Sequence, residues 1–202
     1  MSATVAIAPE EAGAPAQPRG YATGWWGMVV LIMTEATVFA ALLSSYFFIR
    51  ATSKTWPQGG IDAPELGRIL VFTFVLLGSS VPLFWAEAAI RRDELAKVRV
   101  ALILSFVMGT AFLGNQLLEY LHLPFGIHEN AYASLFWTIT GLHGFHVLVG
   151  LVMSAVVQMK AWMGKLSHER HLTLSVFSLY WHFVDVVWIF VFSSLYLSPH
   201  LR

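Results

Sequence analysis

The chain has 202 residues, of which 57% are hydrophobic and only 12% are charged. A soluble domain carries about 25% charged residues, so the composition excludes an ordinary soluble fold, and it is far too apolar for intrinsic disorder. The absence of cysteine excludes disulfides, thiolate metal sites and a cysteine nucleophile, and 12 basic against 12 acidic residues give no bias toward nucleic acid. We therefore interpret the chain as an integral membrane protein.

The first 24 residues are rich in alanine, proline and glycine, which predicts a flexible N-terminal tail over 1–24. This segment lacks the basic start and cleavage pattern of a signal peptide, and it lacks the arginine-rich character of a transit peptide. Trp25 and Trp26 follow, and paired tryptophans are typical of a membrane interface.

Five apolar stretches follow the tail, and each is long enough to cross a bilayer core of about 30 Å, which takes roughly 20 helical residues. In chain order they cover 25–49, 69–90, 100–121, 131–159 and 172–197. None shows the alternating pattern of a membrane β-barrel. The sequence therefore predicts an all-α fold, with one domain over 25–198 that forms a bundle of five transmembrane helices.

Basic residues are distributed unevenly between the two ends of this bundle. Eight lysines and arginines lie in the tail and in the links 91–99 and 160–171, whereas four lie on the opposite side. The positive-inside rule then places the N-terminus in the cytoplasm and the C-terminus outside.

Charged and polar side chains occur deep inside three of the spans. Glu35 lies in the first, His143 and His146 in the fourth, and His182 and Asp185 in the fifth. All five lie within about one turn of the middle of their span, where a charge costs at least about 2.5 kcal/mol. Equal depth and the i, i+3 spacings predict one intramembrane polar cluster, with Glu35 facing the fourth or fifth helix rather than lipid.

Two interpretations of this cluster remain open. Polar side chains between membrane helices stabilise packing by about 0.6–2 kcal/mol per contact, and a proton relay is the functional alternative. Secondary candidates are Glu87, near one end of the second span, and Gln116 and Glu119, near one end of the third. These carboxylates also fit an ordinary place at the interface.

Two packing signals accompany the polar residues. Pro82 predicts a kink in the second span, because proline cannot donate the helical hydrogen bond. Gly141, Gly144 and Gly150 predict close approach of a neighbouring helix to the fourth span.

A metal site is the main chemical alternative. His143, His146 and Asp185 are possible zinc ligands, and Glu119 with His122 forms one Glu-x-x-His motif. A di-iron bundle requires two such motifs, and the chain has no glycine-rich phosphate loop. We therefore predict no catalytic residue and no metal ligand in this chain.

Several short motifs resemble subunit III of the haem–copper respiratory oxidases. The last span contains Tyr-Trp-His-Phe-Val-Asp-Val-Val-Trp at 180–188, and the fourth contains Thr-Gly-Leu-His-Gly-Phe-His-Val at 140–147. Weaker matches are Gln-x-x-Glu-Tyr at 116–120, Trp-Gly at 26–27 followed by Glu35, and Trp-Ala at 85–86. The resemblance extends from about residue 25 to residue 198, and the motifs occur in the same order as in the family.

The resemblance implies a non-catalytic subunit of an aa3-type cytochrome c oxidase in a bacterial plasma membrane. Such a subunit holds no haem or copper and packs against subunit I, which does, alongside subunit II, small subunits and in some cases a respiratory supercomplex. It supports proton uptake, oxygen access and stability during turnover, and it binds phospholipid. Glu35 is then the family's intramembrane glutamate, with His143, His146, His182 and Asp185 as its polar surroundings.

The chain lacks the first two of the seven spans found in mitochondrial members, and the five-span form leaves alternatives open. Subunits of the five-span form also occur in quinol oxidases and with nitric oxide reductases. Outside the family, the alternatives are a stand-alone membrane metalloenzyme and a small proton-coupled transporter using Glu35 and Asp185. Transporters usually have repeated halves, which this sequence does not show.

Overall fold

The computed structural model describes residues 23–200, so the predicted tail lies outside the described residues except for its last two positions. Helices account for the regular structure of this part of the chain, and no strand occurs in it. The helices are α1 (Thr23–Thr52), α2 (Leu66–Gly78), α3 (Ser80–Ile90), α4 (Leu95–His122), α5 (Ala131–Trp162) and α6 (Leu172–Phe192). Short helical turns cover Gln58–Gly60, Ser193–Leu197 and Ser198–His200.

These elements form five helical segments long and apolar enough to cross a membrane. They are Thr23–Thr52, Leu66–Ile90, Leu95–His122, Ala131–Trp162 and Leu172–His200. The predicted all-α fold with five membrane-spanning helices is therefore confirmed. Most helices extend a few residues beyond the predicted apolar stretch, because the helix continues through polar residues at its ends. The orientation of the bundle stays a prediction.

The second span is divided into two helices. Helix α2 ends at Gly78 and α3 begins at Ser80, and the Ser79 hydroxyl donates to the Leu76 carbonyl at 2.6 Å. Pro82 has no N–H to donate to the Gly78 carbonyl four residues earlier. The sequence predicts a kink at Pro82; the structure divides the span at Ser79, three residues before the proline.

The core lies where α4, α5 and α6 meet, around Trp181, which is 1% exposed. A Cβ atom on Gly109 of α4 would lie 2.6 Å from this indole, and one on Gly150 of α5 would lie 2.7 Å from it. The predicted close approach at Gly150 is therefore confirmed. A Cβ atom on Gly141 or Gly144 would have its nearest neighbour at 3.7 Å, an ordinary packing distance, so the close approach predicted at these two glycines is absent.

Helix α1 lies at the edge of this core. It packs against α5 and α6, and only its side chains Phe39 and Tyr46 are buried. At one end, the Arg50 guanidinium donates to the hydroxyl and the carbonyl of Ser198, which joins α1 to the turns that follow α6.

The opposite end of the bundle is joined through two links. The Asp93 carboxylate, which follows α3, accepts from the backbone N–H of His168, which precedes α6, at 2.8 Å. Nearby, the Arg99 guanidinium donates to the Ala161 carbonyl at 3.0 Å and lies 4.7 Å from the Trp162 ring. The link after α3 and the link before α6 are therefore on the same side.

Asn130 caps the N-terminus of α5, and its removal is expected to destabilise the chain. Its Oδ1 accepts from the Ala133 N–H at 2.9 Å, and its Nδ2 donates to the Gln58 carbonyl at 3.1 Å. Loss of such a cap costs about 1 kcal/mol, so Asn130→Ala should lower the midpoint of thermal unfolding in detergent. Asn130→Asp keeps the cap but loses the donor to the Gln58 carbonyl, so it should lose less stability than Asn130→Ala; equal midpoints for both variants would contradict the cap's role.

Candidate functional site

Glu35 of α1 and His146 of α5 form a polar pair inside the membrane-spanning region. Glu35 Oε2 lies 3.3 Å from His146 Nε2. The imidazole is nearly buried at 7% exposure, whereas 31% of the glutamate side chain is exposed. Glu35 therefore contacts the fourth span, as predicted, while part of its side chain reaches the surface of the bundle.

The hydrogen-bond partners of this pair indicate what a hydrogen bond between the two side chains requires. His146 Nδ1 lies 2.8 Å from the Leu142 carbonyl, which can only accept, so Nδ1 carries a hydrogen. A hydrogen bond between Nε2 and Glu35 Oε2 then requires one further proton between them. Such a bond joins either a carboxylic acid and a neutral imidazole or a carboxylate and an imidazolium, and one proton can then pass between these two atoms.

Aromatic rings surround the imidazole of His146. The ring centroids of Phe39, Tyr180 and Phe183 lie 5.2, 6.5 and 6.5 Å from it. The Tyr180 hydroxyl donates to the His146 carbonyl at 3.2 Å. Apolar walls of this kind strengthen the hydrogen bond by lowering the local dielectric.

A second polar group lies between α3 and α6. The Ser80 hydroxyl donates to Asp185 Oδ2 at 2.5 Å and lies 2.9 Å from His182 Nδ1. On the other side of the imidazole, Nε2 lies 3.2 Å from the Ser178 hydroxyl. The ring of Phe84 stacks on His182 with centroids 4.4 Å apart. Ser80 thus connects two of the predicted site residues.

His143 belongs to neither group. Its side chain is 1% exposed and packs between Trp188 and Phe112, with ring centroids 4.7 and 5.9 Å away. Within residues 23–200, neither ring nitrogen has a hydrogen-bond partner. The structure therefore divides the five residues predicted as one cluster into the pair Glu35–His146, the group around His182 and Asp185, and the separate His143.

The secondary candidates lie in three different surroundings. Glu87 is partly buried on α3. Gln116 is buried, and its amide has no hydrogen-bond partner among the described residues. Glu119 lines an open cleft of about 550 Å³, together with Arg68 and residues of the two adjoining links.

The possible metal ligands do not converge. In the part of the chain that the structure describes, no three histidine, aspartate or glutamate side chains are arranged to hold a metal ion. His146 faces Glu35, Asp185 faces Ser80, and His122 Nδ1 faces the Leu118 carbonyl at 2.7 Å.

Sequence reasoning missed the hydroxyl side chains that hold these groups together. The Trp181 indole N–H donates to the Ser79 hydroxyl at 2.8 Å, and the Trp188 indole N–H donates to the Thr73 hydroxyl at 3.0 Å. For Ser79, the Ser-Ser pair at 79–80 in an apolar span was the available signal, because hydroxyls inside membrane helices commonly bond across to a neighbour.

The comparisons with known proteins point to one family. The model of the family "Cytochrome c oxidase subunit III" matches residues 19–199. The chain is 33% identical over 172 residues to cytochrome c oxidase subunit 3 of Thermostichus vulcanus, covering 85% of each chain. It is 36% identical over 175 residues to that of Synechocystis sp., covering 85% of this chain and 74% of the relative. The subunit 3 of Arabidopsis thaliana is 32% identical over 177 residues, with 85% and 67% coverage.

Proposed function

Because the chain belongs to the cytochrome c oxidase subunit III family, we propose that it is subunit III of a bacterial aa3-type cytochrome c oxidase in aerobic respiration. Membership of the family makes it a multi-pass membrane component of a multi-subunit respiratory oxidase complex. Two observations carry the finer proposal. The family match over residues 19–199 reaches into all five spans, and two of the similar proteins are cyanobacterial.

The chain supplies no catalytic centre in this proposal. Subunit I holds the haem and copper, and this chain packs against it in the plasma membrane, alongside subunit II and small subunits. Broad apolar surface is available for such packing and for phospholipid. On α1 alone, Val30, Met33 and Phe48 are 59%, 65% and 70% exposed. The tail is cytoplasmic, in accordance with the distribution of basic residues.

The Glu35–His146 pair is the site through which the chain supports proton uptake by its partner. Its geometry accommodates one exchangeable proton at a 3.3 Å contact, and the partial exposure of Glu35 leaves a route to the surface of the bundle. His143 has a structural role in this proposal, because it packs α5 against α4 and α6.

The proposal is tested by purifying the affinity-tagged chain from its native membranes in mild detergent. Reduced-minus-oxidised visible spectra and metal analysis are recorded on the eluate, with an untagged strain as control. An a-type haem band, copper and larger co-purifying subunits are expected.

Each other outcome identifies a different assignment. Haem b or o with copper would assign the chain to a quinol oxidase. Haem b with non-haem iron and no copper would assign it to a nitric oxide reductase. A colourless chain that carries stoichiometric metal and no partners would overturn the proposed function.

A further inference from the structure

An open cleft of about 550 Å³ lies at the end of the bundle where α2 begins and α4 ends. Arg68 lies two residues after the start of the second span, and Glu119 lies three residues before the end of the third. Asp62 and Glu65, from the link before α2, and His122 line the same cleft. The cleft therefore opens at the level where the apolar layer of a membrane meets the headgroups.

The charges of this cleft do not pair with one another. Three carboxylates and the Arg68 guanidinium line it. The ion pairs between described residues, Glu94–Lys97 and Glu35–His146, lie elsewhere in the bundle. Opposite charges that are held apart in one cleft are complementary to a ligand that carries both signs.

Buried polar groups next to Glu119 have no partner of their own. Gln116 lies three residues earlier on the same face of α4, and Tyr196, in the turn after α6, lies beside both residues. The Gln116 amide and the Tyr196 hydroxyl are buried, and neither has a hydrogen-bond partner among the described residues. Such groups are rare in native proteins, so the wall of the cleft behind Glu119 is suited to a polar ligand.

Exposed apolar side chains adjoin the cleft. Leu70 follows a lining residue of α2, and Leu118 and Leu121 stand next to lining residues of α4. All three leucines are exposed, Leu121 to 79%. A molecule whose polar end enters the cleft can therefore lay hydrocarbon along α2 and α4.

We propose that this cleft is a binding site for phosphatidylethanolamine. The Arg68 guanidinium binds the phosphate, for which its planar set of donors is suited. The ammonium donates to the Glu119 carboxylate, with Glu65 and Asp62 beside it, and the acyl chains lie along the exposed leucines. The proposed function leaves phospholipid spread over the apolar surface, whereas this site assigns one headgroup to particular side chains and does not depend on which oxidase the chain serves.

The charges of the cleft distinguish this lipid from other common phospholipids. A primary ammonium carries three N–H donors for carboxylates, whereas a choline headgroup has methyl groups in their place and donates no hydrogen bond. Phosphatidylglycerol would add a net negative charge to a cleft that already has three carboxylates against one guanidinium. Repulsion between like charges therefore disfavours phosphatidylglycerol.

The experiment measures lipid binding to the full chain by native mass spectrometry. The purified chain is stripped of lipid in detergent and titrated with phosphatidylethanolamine, phosphatidylcholine and phosphatidylglycerol that have identical acyl chains. We expect phosphatidylethanolamine to bind about tenfold more tightly than phosphatidylcholine, the factor that corresponds to one hydrogen bond to a charged group. Soluble phosphoethanolamine, which has the headgroup without the acyl chains, should bind far more weakly than the lipid.

Two variants separate the two charges of the site. Glu119→Gln should abolish the preference for phosphatidylethanolamine over phosphatidylcholine, whereas Arg68→Gln should weaken both, because both lipids carry the phosphate. Glu94→Gln and Lys97→Gln, at the exposed pair at the other end of α4, are the matched controls and should bind every lipid as wild type does. Unfolding midpoints without lipid show whether each variant folds, and Glu65→Gln, at an exposed carboxylate, replaces Glu119→Gln if that variant does not.

Four results would each overturn the site. They are equal binding of phosphatidylethanolamine and phosphatidylcholine, tighter binding of phosphatidylglycerol, an unchanged preference in the carboxylate variant, and binding of phosphoethanolamine as tight as that of the lipid. The last result would show a site for a free headgroup compound in place of a lipid.

Discussion

Replacing Gly150 with alanine is expected to destabilise the chain, because the new Cβ would lie 2.7 Å from both Cε3 and Cζ3 of Trp181. The indole cannot move away. Gly109 approaches the same indole just as closely, with its Cβ position 2.6 Å from Cη2, and the indole N–H is held by Ser79. Overpacking of a tight core costs about 1–3 kcal/mol, so the variant should unfold at a clearly lower temperature in detergent.

Gly144→Ala, on the same helix, is the matched control. Its Cβ would meet only Leu113 at 3.7 Å, so the gain in helix propensity of about 1 kcal/mol should leave it at least as stable as wild type. Trp181→Phe in the Gly150→Ala background should recover part of the loss by making room. Equal unfolding midpoints for Gly150→Ala and Gly144→Ala would show that the close approach does not limit stability.

Replacing Glu35 with glutamine is expected to separate the structural part of the Glu35–His146 pair from its proton chemistry. The glutamine amide can still donate to His146 Nε2, so assembly and the unfolding midpoint should be nearly unchanged. The amide cannot exchange a proton, so proton uptake should slow and the active lifetime during turnover should shorten. Glu35→Leu leaves Nε2 of the His146 imidazole without a partner and should in addition cost about 1–3 kcal/mol of stability.

These variants are compared in the purified oxidase by stopped-flow proton uptake and by the decay of oxygen consumption during continuous turnover. Glu94→Gln serves as the control, because Glu94 forms an exposed pair with Lys97 at 2.8 Å, and such pairs contribute at most about 1 kcal/mol. If proton uptake, active lifetime and proton pumping are all unchanged in Glu35→Gln, the pair has only a structural role.

The membrane-spanning helices could be predicted from the sequence because hydrophobicity over roughly 20 residues is a property of the chain alone. The break at Ser79 was also predictable in kind, since Pro82 removes a helical hydrogen bond wherever the helix packs. The ends of the helices were less predictable. Helix α4 begins at Leu95 rather than at 100, because an α-helix tolerates charged residues once it leaves the apolar layer.

For the site residues, only the depth in the membrane could be predicted from the sequence. Position along a span gives the height of a residue, and Glu35 does meet a histidine at its own height. The direction of each side chain depends on how the helices are rotated, which no single span encodes. His143 and His146 are three residues apart on α5, yet His143 packs against Phe112 of α4 and His146 faces α1.

The separation of Glu35 and His146 along the chain has a consequence for biogenesis. The two residues are 111 positions apart, and synthesis proceeds at about 5–20 residues per second. Glu35 of helix α1 is therefore made roughly 5–20 s before its histidine partner.

During that interval, α1 carries an intramembrane carboxyl without its native partner, and its apolar residues alone must hold it in the lipid. The Arg50–Ser198 contact, across 148 positions, closes later still. Docking of α1 is thus a late step of assembly. A chain that has failed to complete it differs chemically from a finished one by an unpaired acid at mid-bilayer.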